Sequence, residues 1–276
     1  MKCSLSLILL GLVSTSLLAS VDSDMDGVDD TIDQCPNTPF TDLVNSVGCT
    51  KKSLISKHHF DVIVGASYAD TNYITLTKTK TIASTFAVDY YYKNFSIQAS
   101  TAYYAEQSET TNTTTNGLYD SYIGASYKLH PVKNLSLRLG AGALLPTYET
   151  SLNNNNTDYT AFTNAAYNIN KLNLFVAYSY TMINDSDVSD ATTTIQYQDT
   201  NALNVGVGYS FTSKFYLSSS YYTSTSIYKG VKDIQTASLY SFYQINKHRS
   251  VSLSYAYGLS DTASDNYVAL RLGFYF

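Results

Sequence analysis

Residues 135–145 read LSLRLGAGALL, and their alternating pattern decides the fold. One set of alternate positions is apolar: Leu135, Leu137, Leu139, Ala141 and Ala143. The set between them is small or polar: Ser136, Arg138, Gly140 and Gly142. A period of two residues with two different faces is typical of a β-strand whose sides meet different environments. A tilted strand of this length is long enough to cross a bilayer.

The same alternation recurs along the chain, for example in FSIQASTAYYA (95–105), LNLFVAYSYTM (172–182) and NYVALRLGFYF (266–276). A helical period fits none of these segments. We therefore predict twelve strands. Their ranges are 59–69, 80–92, 95–106, 118–129, 135–145, 158–168, 172–182, 201–211, 215–223, 234–245, 251–259 and 265–276.

The connections between these strands alternate between short and long. Outer-membrane barrels have short turns at one end and long loops at the other. Closing the sheet into a barrel pairs the backbone groups of its edge strands, which have no other hydrogen-bond partner in lipid. We predict an all-β, transmembrane antiparallel up-and-down β-barrel over residues 58–276. A soluble exported β-sandwich is the competing fold, but the many Gly, Ser, Ala and Thr residues on one face would fill its core poorly.

The two ends of the predicted barrel differ in charge. Each short turn carries a lysine, and all four histidines fall at the same end: Lys93, Lys133, Lys171, Lys214, Lys247, His58, His59, His130 and His248. The longer loops hold most of the acidic residues. We expect the lysine-containing turns to be periplasmic and the long loops to lie outside the cell. Because the chain has no Trp, we expect tyrosines to form the aromatic girdles at the two membrane interfaces.

Composition excludes several classes of protein. Charged residues make up 14% of the 276 residues, below the usual level of about 25%. The formal net charge of -5 argues against a nucleic-acid partner, which requires clustered Lys and Arg. An aromatic content of 14% argues against disorder, and beyond the N-terminus no apolar run is long enough for a transmembrane helix.

The N-terminus has the layout of a signal peptide. Residues 1–20 read MKCSLSLILLGLVSTSLLAS, with one lysine before an apolar stretch and small residues at the end. Cleavage is expected after Ala19 or Ser20, which removes Cys3. Cys35 and Cys49 then remain in an exported chain, where we predict that they form a disulfide.

An acidic segment, DSDMDGVDDTID, follows at residues 22–33. Its oxygen ligands have the spacing of a Ca²⁺ loop, with Gly27 at the turn position. The predicted ligands are the carboxylates of Asp22, Asp24, Asp26, Asp30 and Asp33 and the backbone carbonyl of Val28. The last position is Asp where an EF-hand has Glu, and Pro36 prevents a following helix.

Residues 22–49, which continue through Cys35-Pro36 and Pro39 to Gly48-Cys49, resemble a thrombospondin type 3 repeat. The segment is most similar to the periplasmic linker of outer-membrane protein A-like porins. That resemblance implies that residues 21–57 are a periplasmic, Ca²⁺-binding segment. The C-terminal Gly-Phe-Tyr-Phe276 resembles the signal read by the barrel-assembly machinery. Together these features resemble a Gram-negative, porin-like outer-membrane protein surrounded by lipid and lipopolysaccharide.

The alternation groups seven charged residues on one face of the strands. We assign this face to the inside of the barrel, because charged side chains that face lipid would be energetically costly. The seven residues are Asp61, Asp89, Glu106, Asp120, Lys128, Arg138 and Arg271. Two roles remain open for them: pairing across the lumen to brace the wall, or setting a weak transverse field. As pore-lining residues we single out Asp89, Asp120, Lys128, Arg138 and Arg271.

The inward residues are mostly small, which predicts a narrow water-filled channel for small polar solutes. Inward aromatic residues, among them Phe175 and Tyr216, are expected to narrow this channel. Replacing Gly140 and Gly206 with Trp is expected to obstruct it and lower its conductance. The alternative is a closed structural or adhesive barrel that displays polar loops. We do not expect an enzyme, since G-x-S-x-G and H-E-x-x-H motifs are absent and the histidines lie at the short-turn end.

Overall fold

The computed structural model describes 28, 30, 33–35, 38, 44, 47, 58–72, 78–109, 111–149, 155–189 and 194–276. The chain divides into two compact units, Met1–Ser56 and Lys57–Phe276. The predicted signal peptide, the carboxylates of Asp22, Asp24 and Asp26, and Cys49 lie outside the described residues and remain predictions.

The second unit is built from β-strands. They are β1 (His58–Asn72), β2 (Lys78–Tyr92), β3 (Phe95–Ser108), β4 (Thr114–Leu118), β5 (Ser121–Val132), β6 (Leu135–Leu145), β7 (Asp158–Ile169), β8 (Leu172–Met182), β9 (Val188–Ser189), β10 (Thr194–Ile195), β11 (Thr200–Ser210), β12 (Phe215–Ser224), β13 (Ile234–Asn246), β14 (Arg249–Gly258) and β15 (Asn266–Tyr275). The described residues contain no apolar helix long enough to cross a membrane.

Twelve of these strands form a closed antiparallel barrel. Each strand pairs with its neighbours in sequence, and β15 returns to pair with β1, so that Asp61 faces Tyr275 in the ladder. Two backbone hydrogen bonds between Phe60 and the C-terminal Phe276, of 3.0 and 2.9 Å, extend this closing ladder. Closure leaves no unpaired sheet edge, as a barrel in lipid requires.

The remaining short strands belong to the loops. β4 pairs with the outer part of β3 and continues toward β5, while β9 and β10 form a separate small hairpin. The two residues between β4 and β5 are Tyr119 and Asp120. The prediction of one continuous strand over 118–129 is therefore wrong at this point, whereas the other strand ends agree within three residues.

Large apolar side chains lie on the outside of the barrel. Val64, Phe86, Leu139, Leu174 and Val205 are all exposed. Of the described residues, only four apolar ones are buried, namely Ala83, Tyr104, Ala263 and Ala269. A soluble β-sandwich would bury its large apolar side chains in a core, so this distribution rejects that fold and suits contact with lipid.

Four of the hairpin turns at the short-turn end have two residues each. They are Lys93-Asn94, Lys133-Asn134, Asn170-Lys171 and Lys247-His248, each between consecutive strands of the barrel. One residue in each of the first three turns has a left-handed backbone: Lys93 at φ 55°, Asn134 at φ 70° and Asn170 at φ 53°. Asn tolerates this conformation better than most residues, which explains why the tight turns fall here.

Candidate functional site: the lumen and its long-loop mouth

The strands place small side chains along the inside of the barrel and lay aromatic rings against it. The Phe162 ring covers Gly140, the Phe175 ring covers Gly206, and the Tyr216 ring covers Gly208. Because glycine has no side chain, each ring can lie against the wall and leave space nearer the barrel axis. The ring of Tyr122 occupies the same kind of position, and a Cβ added to Gly142 would lie 2.5 Å from its Cε2.

This arrangement changes the expected effect of two substitutions. Trp at Gly140 or Gly206 was expected to project into the lumen and obstruct it. A Cβ at either position already meets the ring of Phe162 or Phe175. Those substitutions would therefore displace a neighbouring aromatic ring. A change in conductance could then come from the displaced ring as well as from the added Trp side chain.

Two inward carboxylates stand side by side on the wall. Asp61 on β1 is the ladder partner of Asp89 on β2. Asp89 is 9% exposed, and its Oδ2 accepts a hydrogen bond from the Tyr91 hydroxyl at 3.5 Å. Its Oδ1 is buried without a hydrogen-bond partner among the described residues. The pair concentrates negative charge at one place on the wall.

The basic residues of the lumen flank this acidic pair. Lys128 on β5 is the ladder partner of Arg138 on β6. On the other side of the pair, Arg271 on β15 lies opposite Gly65, and its Nη1 is 3.5 Å from Ser254 Oγ.

None of these inward charges belongs to an ion pair in the described parts of the chain. The ion pairs there are Lys78–Asp70, Lys80–Glu109 and Lys232–Asp261. All three lie toward the long-loop end. Of the two roles considered for the inward charges, bracing of the wall by ion pairs is therefore not supported in the described part of the chain.

The inward charges occupy one side of the barrel. All of those within the wall come from the consecutive strands β15, β1, β2, β3, β5 and β6. The opposite strands β7, β8 and β11–β14 turn mainly small, amide and hydroxyl side chains inward. Examples are Asn164, Ala177, Asn204, Ser218, Ser238 and Ser252. Asp158, at the long-loop end of β7, is the acidic exception among the described residues. The lumen therefore has a charged half and an uncharged half.

Some side chains that face inward near the short-turn end are exposed. Gln98, on the inward face of β3, and Lys128 both reach solvent. Gln98 lines a recess of about 50 Å³ together with residues that include Asp89, Tyr91 and Arg138. The Lys128 backbone N–H donates to the carbonyl of Asn94 in the adjacent short turn at 2.8 Å, so the lumen is accessible to water at its short-turn end.

A larger cavity of about 410 Å³ lies at the long-loop mouth, and we call it the vestibule pocket. Its lining residues are Tyr104, Glu106, Thr115, Tyr119, Asp120 and Tyr148. Of these, Asp120 was predicted to line the pore, and here it lines the mouth. Alternation does not predict this pocket, because Tyr119 lies in the break between β4 and β5 and Tyr148 lies in a loop.

The loop acids connect neighbouring loops. Asp158 Oδ1 accepts a hydrogen bond from the Asn184 backbone N–H at 2.7 Å, and Asp185 Oδ1 accepts one from Asn156 N–H at 2.8 Å. Asp199 accepts hydrogen bonds from the Tyr180 hydroxyl and from the backbone N–H of Ile183. These two donors, the hydroxyl first, lower the pKa of Asp199 below its ordinary value.

The described part of the N-terminal unit gives limited detail about the predicted Ca²⁺ loop. Asp33 Oδ1 accepts a hydrogen bond from the Cys35 backbone N–H at 2.8 Å. Asp33 Oδ2 is buried and has no hydrogen-bond partner among the described residues. No group of three or more potential metal ligands occurs within the described positions, but three of the predicted carboxylates lie outside them.

Comparison with solved structures shows the same fold in outer-membrane channels. An outer-membrane channel from Pseudomonas putida F1 superposes with a TM-score of 0.68 at 9% identity, over 82% of this chain and 98% of that chain. The NanC porin superposes with a TM-score of 0.52 at 15% identity, over 78% and 98%. At these identities the likeness establishes the outer-membrane barrel fold.

Sequence comparison adds the family. No curated protein matches the chain significantly. The family model described as "Putative MetA-pathway of phenol degradation" matches residues 45–276, which is most of the chain. The chain therefore belongs to the family of the putative MetA pathway of phenol degradation.

Proposed function

We propose that the barrel is a porin-like passive channel for small polar solutes in the outer membrane. The observation that carries this proposal is the exposure of Gln98 and Lys128 on the inward face of a closed twelve-stranded barrel. Barrels of about eight strands are filled by side chains, and those of about 16–18 strands hold wide channels. With aromatic rings lying against glycines, an intermediate barrel retains a narrow path for water.

The test is the conductance of the purified protein in a planar bilayer. Gln98→Trp places a large side chain in the accessible lumen and should lower single-channel conductance by at least half. Ala99→Trp, one residue along the same strand, faces lipid and should conduct like wild type. Both variants should retain heat-modifiable migration on gels. Absence of wild-type conductance, or equal conductance of the two variants, would contradict an open channel.

Ion selectivity should be weak because the inward charges nearly cancel. Asp61, Asp89, Glu106 and Asp120 oppose Lys128, Arg138 and Arg271. We infer that the solutes are small and polar, without a strong preference for either sign of charge. Since the family description refers to phenol degradation, small phenolic compounds form one class to include in liposome-swelling assays.

A closed barrel that displays structured loops is the second candidate. It is supported by the hydrogen bonds that Asp158 and Asp185 accept from neighbouring loops. If the wild-type protein is folded in the bilayer but does not conduct, this structural or adhesive function takes the place of the channel.

We further propose that residues 21–57 form a periplasmic segment that binds one Ca²⁺ and contains a Cys35–Cys49 disulfide, after removal of a signal peptide. Asp33 Oδ2 is buried and has no hydrogen-bond partner within the described residues, which fits a role as an oxygen ligand. Lipopolysaccharide around the barrel and recognition of Phe276 by the barrel-assembly machinery belong to the same proposal.

Calorimetry on the full chain tests the Ca²⁺ site. Extracytoplasmic modules bind Ca²⁺ with dissociation constants of about 10⁻⁴–10⁻³ M, and wild-type protein should show a saturable heat in this range. Asp33→Asn should weaken binding, whereas Asp261→Asn, at the long-loop end of the barrel, should not. Equal Ca²⁺ heats from the two variants would contradict the assignment.

A further inference from the structure

The vestibule pocket has an aromatic wall formed by three tyrosines. The ring centroid of Tyr104 lies 4.7 Å from that of Tyr119 and 5.8 Å from that of Tyr148. Tyr104 is buried between these partners, and its ring lies over Gly117, where an added Cβ would be 3.4 Å from Cε1. Tyr119 and Tyr148 are exposed. The central ring is thus held in place, and the outer two are accessible to a ligand.

The charged groups of the pocket are both acidic. Glu106 Oε2 accepts a hydrogen bond from Thr81 Oγ1 at 3.2 Å. Asp120 Oδ1 accepts hydrogen bonds from the Tyr148 backbone N–H at 3.0 Å and from Asn155 Nδ2 at 2.8 Å. Neither Lys, Arg nor His is among the described residues that line the pocket. The pocket therefore attracts cations and repels anions.

We propose that the vestibule pocket binds small organic cations, such as amines and quaternary ammonium compounds. A cation over the face of a tyrosine is attracted by the electrons of the ring, and two nearby carboxylates add to that attraction. A volume of about 410 Å³ lies within the range of pockets for small organic molecules, about 300–1,000 Å³. This site lies at the mouth of the lumen, and binding there does not require that the barrel conducts.

Choline provides the probe, because an uncharged compound of the same shape exists. In 3,3-dimethyl-1-butanol a carbon atom replaces the ammonium nitrogen of choline. Calorimetry on the folded full-length protein in detergent should show saturable, millimolar binding of choline. The uncharged analogue should bind at least about tenfold more weakly, since a partly desolvated cation–aromatic contact and a carboxylate together exceed a tenfold effect.

Two pairs of variants separate the contributions of ring and charge. Tyr148→Leu should weaken choline binding about tenfold, while Tyr148→Phe, which keeps the ring, should change it less than about twofold. Glu106→Gln should weaken binding about fivefold or more, whereas Asp261→Asn removes a carboxylate from the same mouth outside the pocket and should leave binding within about twofold. Heat-modifiable migration confirms folding of each variant.

Each contrary result overturns the site. Equal affinity for choline and its uncharged analogue would show that charge is not recognised. If Glu106→Gln and Asp261→Asn weaken choline binding equally, the attraction comes from the overall negative charge of the long-loop mouth and not from the vestibule pocket. Retention of wild-type affinity in Tyr148→Leu, or no saturable binding at millimolar choline, would remove the proposed site.

Discussion

Gly208 and Tyr216 illustrate how single residues shape the lumen. All three of the nearest atoms to a Cβ added at Gly208 belong to Tyr216, whose hydroxyl donates a hydrogen bond to Asn173 Oδ1 at 3.1 Å. The ring can keep this position only because the neighbouring residue has no side chain. Width at this level therefore depends on a pair of residues on adjacent strands, and not on either one alone.

We expect Gly208→Ala to destabilise the barrel by about 1–3 kcal/mol, the usual cost of overpacking. Chemical unfolding in detergent, followed by heat-modifiable migration, provides the measurement. Adding Tyr216→Leu should restore part of that loss, because the smaller side chain makes room for the new Cβ. If the two substitutions destabilise additively, the ring and the glycine are not coupled.

Asp199 gives a pH-dependent prediction at the same scale. Its pKa is lowered by hydrogen bonds from the Tyr180 hydroxyl and the Ile183 backbone N–H. A carboxylate with a lowered pKa stabilises the fold above its unfolded-state pKa and loses this contribution as the pH falls through the lower, folded-state value.

We therefore expect amide hydrogen exchange at Ile183, corrected for intrinsic pH dependence, to be protected at neutral pH. Protection should weaken only when the pH falls below the ordinary Asp value of 3.8. Asp199→Asn should already show the weaker protection at neutral pH. A variant with wild-type protection would show that this carboxylate does not hold the loop.

At the scale of the strands, the main feature that the alternating pattern did not predict is the interruption between β4 and β5. Thr147 Oγ1 accepts a hydrogen bond from Ser121 N–H at 2.8 Å and donates one to the Tyr119 carbonyl at 2.7 Å. These bonds to a loop replace ladder bonds at the break. Asp120 can then accept hydrogen bonds from the loop and line the vestibule pocket.

Thr147→Val should destabilise this region because it removes both bonds, at a cost of about 1–3 kcal/mol for the groups left unpaired. Thr147→Ser keeps the hydroxyl and should retain most of the stability. Chemical unfolding in detergent measures both variants. If Val and Ser behave alike, the hydroxyl does not hold the break together.

The strands themselves were predictable because successive side chains face lipid and lumen in turn, which gives the sequence an alternation of apolar and small or polar residues. Residues 135–145 and 172–182 have the same limits in prediction and structure. The inward direction of Arg138 follows from the same rule. By contrast, the positions of Tyr119 and Tyr148 depend on hydrogen bonds between segments far apart in sequence, and no local pattern encodes them. The covering of Gly206 by Phe175 likewise depends on register between strands.

The orientation of the whole barrel gives a prediction that uses a matched pair of lysines. Lys171 is exposed in a short turn, and Lys229 is exposed in a long loop. With the short turns in the periplasm, Lys229→Cys should react with a membrane-impermeant maleimide in intact cells, and Lys171→Cys only after the outer membrane is opened. The reverse pattern would invert the orientation.

The division of the lumen into a charged and an uncharged half has a consequence for how a solute travels. The charged half combines an acidic pair with basic residues on either side of it, so the electric field in the lumen is strong near that half and weak near the other. This uneven field exerts a torque on any molecule with a permanent dipole. Such a molecule loses rotational freedom as it enters, and the loss depends on its dipole moment even when its volume and net charge are fixed. Two neutral positional isomers of equal size should therefore permeate at different rates, so that the barrel sorts solutes by internal charge separation.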